Sequence, residues 1–112
     1  MTAPLVWLLA AALSVTSPHA WPGPSPLVAS SPGKPVTHAP LTVAASEMPA
    51  GVTSASVLAG SDERPMRRLR DAIYRTTFLA PAPGPLTLTL HFWRRGRLYE
   101  VPGGTILVQP KG

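Results

Sequence analysis

The sequence contains no cysteine and only five acidic residues among its 112 positions. The absence of cysteine excludes disulfides and metal sites built on thiolates. Its three histidines, His19, His38 and His91, do not form a pair with metal-ligand spacing. A small domain without disulfides must be held together by packing alone, which among exported proteins is more typical of bacterial envelopes than of secreted eukaryotic domains.

Charge is also absent from the start of the chain, because no Lys, Arg, Asp or Glu precedes Lys34. This uncharged region includes the apolar run "PLVWLLAAALSV", from Pro4 to Val15. The run is shorter than the roughly 20 residues needed to span a bilayer and fits the apolar region of a signal peptide. We expect residues 1–20 to be a signal peptide or an uncleaved membrane anchor, and the protein to be periplasmic or secreted. A buried core helix is the alternative.

Proline is abundant in the next segment, with seven prolines between Ser17 and Pro40. The segment has no apolar period of 2 or 3.6, and each proline fixes φ and removes an amide donor. The sequence therefore predicts a disordered, flexible, proline-rich tether over residues 21–39.

Alternating apolar and polar residues predict strands in the remainder of the chain. Leu41–Ala45 and Val52–Leu58 are expected to pair as a hairpin. The clearest strand is Leu86–Trp93, whose predicted hairpin partner is the "LYEV" stretch after a turn at Gly96. The "PGG" stretch is expected to turn the chain once more before a final short strand, "TILVQ".

An amphipathic helix is predicted between these strands. Pro65 suits the first turn of a helix, and Met66, Leu69 and Ile73 recur at intervals of three and four residues, so they would form one apolar stripe. We expect this helix to end by Leu79. Residues 40–112 are thus predicted to be a small α+β module, an antiparallel sheet of order ββαβ with C-terminal hairpin strands, packed on one amphipathic helix.

Several residues between Leu41 and Phe92 carry a resemblance to a known family. They are Gly51-Val52 before "TSASVL", Gly60-Ser61, Tyr74 and Phe78 in the predicted helix, and Pro81-Ala82. In their order along the chain they resemble the C-terminal domain of TonB-type energy transducers. The resemblance implies a small α/β end domain that follows an apolar N-terminal segment and a proline-rich stretch in a bacterial envelope protein.

No arrangement of residues predicts catalysis or cofactor binding. The sequence has no P-loop, no GxGxxG and no GxSxG motif. Dipole complementarity and ion pairing account for three of the five acidic residues, because they lie on or just before the predicted helix. We therefore expect no enzyme activity, no catalytic or metal-binding residues, and no cofactor.

The arginines are the candidate partner-binding residues, because all eight lie between Arg64 and Arg97. If the predicted hairpin turn folds near the helix, they form one positive face, with two aromatic side chains available for stacking. The alternative is a solvated surface that only confers solubility. The predicted partner-binding set is Arg67, Arg68, Arg70, Arg75, Arg94, Arg95, Arg97, Trp93 and Tyr99.

The expected partner is an envelope protein or an anionic surface, since an exported protein meets these more often than nucleic acid. Self-association through a sheet edge and membrane contact through the N-terminal segment are also expected. The sequence thus predicts an exported, non-enzymatic binding or scaffolding module of a bacterial cell envelope, similar to a TonB C-terminal domain. One alternative is a cationic exported protein that binds an anionic polymer or membrane surface through its arginine-rich helix and hairpin turn. Another is a chain without a stable fold.

Overall fold

The computed structural model describes residues 17–112, in which every regular element is a β-strand. No helix that could span a membrane is present in this part of the chain. The eight strands are β1 (His19–Ala20), β2 (Leu27–Ser31), β3 (Pro40–Ser46), β4 (Val52–Ala59), β5 (Asp62–Arg70), β6 (Ile73–Leu79), β7 (Gly84–Arg94) and β8 (Arg97–Val108).

The strands form one curled sheet in the order β1-β8-β7-β4-β5-β6-β3-β2. All neighbours are antiparallel except the short parallel pair β1 and β8. The connections from β3 to β4 and from β6 to β7 each join strands that are not neighbours in the sheet. A parallel bridge between Val36 and Gln109 ties the chain between β2 and β3 to the end of β8.

Strand β5 joins the two halves of the sheet because it changes partner along its length. Residues 62–66 pair with β4, whereas Arg67, Arg68 and Arg70 pair with β6. The sheet therefore bends at β5, and the inward side chains of both halves meet in one core.

The core follows the period-2 pattern of the strands, in which alternate side chains point to the same face. In β7 the residues Leu86, Leu88, Leu90 and Phe92 are all buried, so the predicted strand from Leu86 is confirmed. They pack with inward residues of the other strands, which include Leu41, Val43, Val57, Met66, Tyr74, Phe78 and Val101.

The predicted α+β fold is wrong, because the segment assigned to a helix forms the hairpin of β5 and β6. Of the proposed apolar stripe, Met66 is buried and Ile73 half-buried, but Leu69 is 47% exposed. Ala72, with φ of 63°, turns the chain between the two strands. The helix that the TonB resemblance implied is therefore absent from these residues.

Two further expectations about chain connections are corrected. Leu41–Ala45 and Val52–Leu58 do lie in strands, but β3 pairs with β2 and β6, and β4 pairs with β5 and β7, so they do not form a hairpin. The "PGG" stretch lies within β8 at a register irregularity opposite Thr87 and Thr89, and it does not separate two strands.

The proline-rich segment is not a disordered stretch preceding the sheet. Residues 27–31 pair along their length with β3, and Trp21 packs against the core. Prolines lie at the borders of this strand, where no ladder hydrogen bond is needed from their nitrogen. The predicted leader, residues 1–20, lies mostly outside the described residues, which begin at Ser17.

Candidate anion-binding surface

Three chain connections meet at one end of the sheet: the loop 47–51, the β5–β6 turn and the β7–β8 turn. The antiparallel register brings them together, since Val52 lies opposite Arg94 and the strands β5 and β4 run in opposite directions. The amide of Met48 donates to the carbonyl of Ala72 at 3.1 Å, which joins the first loop to the β5–β6 turn. The Nε of Arg94 donates to the carbonyl of Ala50 at 2.6 Å, which joins it to β7.

This arrangement collects arginines from both sequence clusters at the same end. We call the group Arg68, Arg70, Arg94, Arg95 and Arg97 the arginine-rich end. The acidic residues in its connections are Glu47 and Asp71, so five positive charges face two negative ones, a net charge of 5 − 2 = +3. Strands and turns carry these arginines in place of the predicted helix, and Arg67 and Arg75 of the predicted set are not part of the group.

The β7–β8 turn projects two of these arginines into solvent. Arg94 and Arg97 lie opposite each other, and the two residues between them have positive φ, 52° for Arg95 and 75° for Gly96. Such two-residue turns favour Asn or Gly at the first position, because a positive φ strains most side chains. An arginine at this position has a conformational cost, and Arg95 and Arg97 are both exposed.

Arg94 and Arg68 are held by contacts within the protein. The guanidinium of Arg94 lies 5.4 Å from the centre of the Trp21 ring, a cation–π distance. Arg68 forms an ion pair with Asp71, and both line a cleft of about 320 Å³ beside the loop 47–51. Arg70, Arg95 and Arg97 are therefore the members of the group best placed to contact a partner.

The two aromatic residues of the predicted set have different roles. Trp93 is 37% exposed and lies on the outer face of β7. Tyr99 is half-buried and packs edge-on against Trp21 with ring centres 5.0 Å apart, so it supports the core. Sequence reasoning missed Trp21, which was assigned to the tether; a large aromatic residue among prolines was the signal that this segment is packed.

The chain matches no known family model and no curated protein sequence. The surface must therefore be interpreted from its own chemistry.

Arg67 and Arg75 lie next to the arginine-rich end, on the outer face of the β5–β6 hairpin. They are directly opposite each other in the register. Both line a cleft of about 350 Å³ with Pro65, Leu69, Thr76 and Thr77.

Other polar clusters form structural pairs across the outer face. His91 Nε2 lies 2.9 Å from an oxygen of Glu100, and the Ser56 hydroxyl donates to Glu63 at 2.8 Å. Between residues 17 and 112, no three His, Asp or Glu side chains form a group that could hold a metal ion, and no charged side chain is buried.

Proposed function

We propose that the protein is an exported, non-enzymatic binding module of a bacterial cell envelope, and that its arginine-rich end contacts an anionic surface. The observation that supports this most directly is the meeting of two arginine clusters, far apart in sequence, at one end of the sheet. The apolar N-terminal run supports export.

The exposed members of the group are suited to a surface more than to an enclosed ligand. Arg70, Arg95 and Arg97 project from turns, where they can approach a flat array of phosphates or carboxylates together. Each Lys or Arg near an anionic membrane contributes about 1 kcal/mol of attraction, and this contribution falls off within a Debye length. Several such residues on one end orient the domain, because the connections at the opposite end, 32–39, 60–61, 80–83 and the C-terminal residues 109–112, carry two cations, Lys34 and Lys111.

The test is co-sedimentation of the full chain with vesicles that contain phosphatidylglycerol, compared with neutral phosphatidylcholine vesicles. The difference in bound protein between the two kinds of vesicle removes any contribution of the apolar N-terminal run. We expect binding to the anionic vesicles that weakens steeply as salt is raised.

A matched pair of variants tests the location of the site. Arg95→Asn with Arg97→Gln removes two charges from the arginine-rich end and suits the positive φ at position 95, so we expect affinity to fall roughly 30-fold at about 1 kcal/mol per charge. Lys34→Gln with Lys111→Gln removes two charges from the other end and should change affinity less than about threefold. Equal losses in both variants, or no preference for anionic vesicles, would contradict the proposal.

Export has its own test, which is independent of binding. Fractionation of a bacterium that expresses the full chain should recover the protein from the envelope or periplasm. Recovery of unprocessed protein solely from the cytosol would rule out the envelope assignment.

A further inference from the structure

The β5–β6 hairpin places two like charges side by side. Arg67 and Arg75 are register partners in an antiparallel pair, so their Cβ atoms are about 5 Å apart on the same face. Like charges directly opposite each other destabilise a sheet. The ion pairs of the described residues involve Arg64, Arg68 and His91, and neither Arg67 nor Arg75 takes part in one.

Arg67 and Arg75 line a cleft that lies where β5 changes its partner strand. Up to Met66, β5 pairs with β4, and from Arg67 it pairs with β6. The strands β5 and β6 therefore diverge on one side of the Arg67–Arg75 pair. The cleft of about 350 Å³ opens to the outer face.

The lining of this cleft combines charge, hydroxyl and apolar groups. Thr76 and Thr77 border it beside the arginines, while Pro65 and Leu69 add apolar surface. Leu69, the last residue but one of β5, is 47% exposed and so presents apolar surface to the cleft. An organic ligand with an anionic head and an apolar body would cover Leu69 and neutralise both arginines.

We propose that this cleft binds a phosphate monoester. Two guanidinium groups carry a charge of +2, and a phosphate monoester carries about −1.5 to −2 at neutral pH, whereas a carboxylate or a phosphodiester carries −1. Guanidinium groups also bind phosphate oxygens bidentately, so two arginines can hold one tetrahedral group. The site does not depend on the arginine-rich end, because none of that group's members lines the cleft.

The test is a calorimetric titration of the full chain with phenyl phosphate, with methyl phenyl phosphate and benzoate as singly charged comparators. We expect saturable binding of phenyl phosphate, at least about tenfold tighter than of either comparator, because charge-assisted hydrogen bonds to a second guanidinium are lost with them. Absence of saturable binding, or equal affinity for benzoate, would overturn the proposal.

Single substitutions locate the binding. Arg67→Gln and Arg75→Gln should each weaken phenyl phosphate binding about tenfold or more, whereas Arg70→Gln, which removes the same charge at the nearby turn, should change it less than threefold. An equal loss with Arg70→Gln would show diffuse attraction and refute the site. Thermal unfolding should show that both site variants stay folded, since each relieves the repulsion.

Vesicles containing phosphatidic acid distinguish a lipid phosphate from a soluble one. If vesicle binding depends on Arg67 and Arg75, and is tighter than the binding of phenyl phosphate at equal phosphate concentration, the monoester is a lipid headgroup. Tighter binding of phenyl phosphate assigns it to a soluble ligand. Vesicle binding that is unaffected by either substitution, together with no phenyl phosphate binding, would overturn the proposal.

Discussion

Replacement of Trp21 by alanine should destabilise the domain, because the structure packs this residue against the core. Its ring makes edge-to-face contacts with Phe92 and Tyr99 at centroid distances of 5.3 Å and 5.0 Å. Each such pair contributes about 0.5–1.5 kcal/mol beyond area burial, and the guanidinium of Arg94 at 5.4 Å adds roughly 0.5–1 kcal/mol. We expect a loss of about 3 kcal/mol in the free energy of unfolding. A flexible tether would predict no loss.

The assay is urea denaturation of the full chain followed by circular dichroism, with thermal unfolding as a second readout. For a domain of this size, about 3 kcal/mol corresponds to a fall in Tm of roughly 10–20 °C. Trp93→Ala is the matched control, because Trp93 lies on the outer face and is 37% exposed, so its loss should cost less than about 1 kcal/mol. A change below about 0.5 kcal/mol for Trp21→Ala would refute the packing of the proline-rich segment.

Three further predictions concern the core, the close contact between Gly103 and the backbone of Leu88, and the pair of Arg67 and Arg75. Leu90→Ala, at a fully buried position, should cost about 2–5 kcal/mol in urea denaturation, whereas Leu79→Ala, at a position 63% exposed, should be nearly neutral; similar losses would contradict the assigned inward face. Gly103→Ala should cost about 1–3 kcal/mol, because a Cβ there would lie 2.9 Å from the carbonyl oxygen of Leu88; an unchanged Tm would show that this approach is absent. Arg67→Gln should raise the free energy of unfolding by about 0.2–1 kcal/mol without ligand, and a loss of stability would contradict the repulsion inferred there.

The strand that the sequence predicted most completely is β7, which has a clear alternation and a local turn into β8. In β7 the alternation of leucine with threonine distinguishes the buried from the exposed face without reference to any other part of the chain. Its hairpin with β8 follows from Gly96 at the turn. These features depend on neighbouring residues, so one sequence is sufficient to find them.

The helix was mispredicted because two periods compete in the same residues. Met66, Leu69 and Ile73 fit a helical stripe, but Tyr74, Thr76 and Phe78 also alternate, and the β-branched and aromatic residues of "IYRTTF" favour a strand. The outcome depends on which partners are available. Strand β6 pairs with β3, and β5 pairs with β4. No local sequence pattern predicts these pairings.

The proline-rich segment was mispredicted for a related reason. Its composition favours an extended chain, but a short stretch between prolines, "LVASS", can still add to a sheet edge. Long-range pairing also determined the arginine cleft. The sequence identified the arginines, but Arg67 and Arg75 are register partners only because of a hairpin that the sequence did not predict.

The fold and the cleft both depend on a hairpin over residues 67–75 in which Arg67 and Arg75 lie side by side. Because the chain has no cysteine, a pair of engineered cysteines reports on this distance without interference. Opposite residues of an antiparallel pair have Cα atoms about 4.5–5.5 Å apart, which suits a disulfide, whereas in a helix these positions would be about 12 Å apart along the axis. Arg67→Cys with Asp71→Cys is the converse control, since those positions would be neighbours in a helix, whereas here about 10 Å of extended strand separates Arg67 from Arg70, the residue before Asp71.

The deciding measurement is intramolecular disulfide formation in these two variants under mild oxidation, read by mass spectrometry. We expect rapid closure of the 67–75 pair and little closure of the 67–71 pair. The reverse result would contradict the hairpin, and with it the arginine cleft.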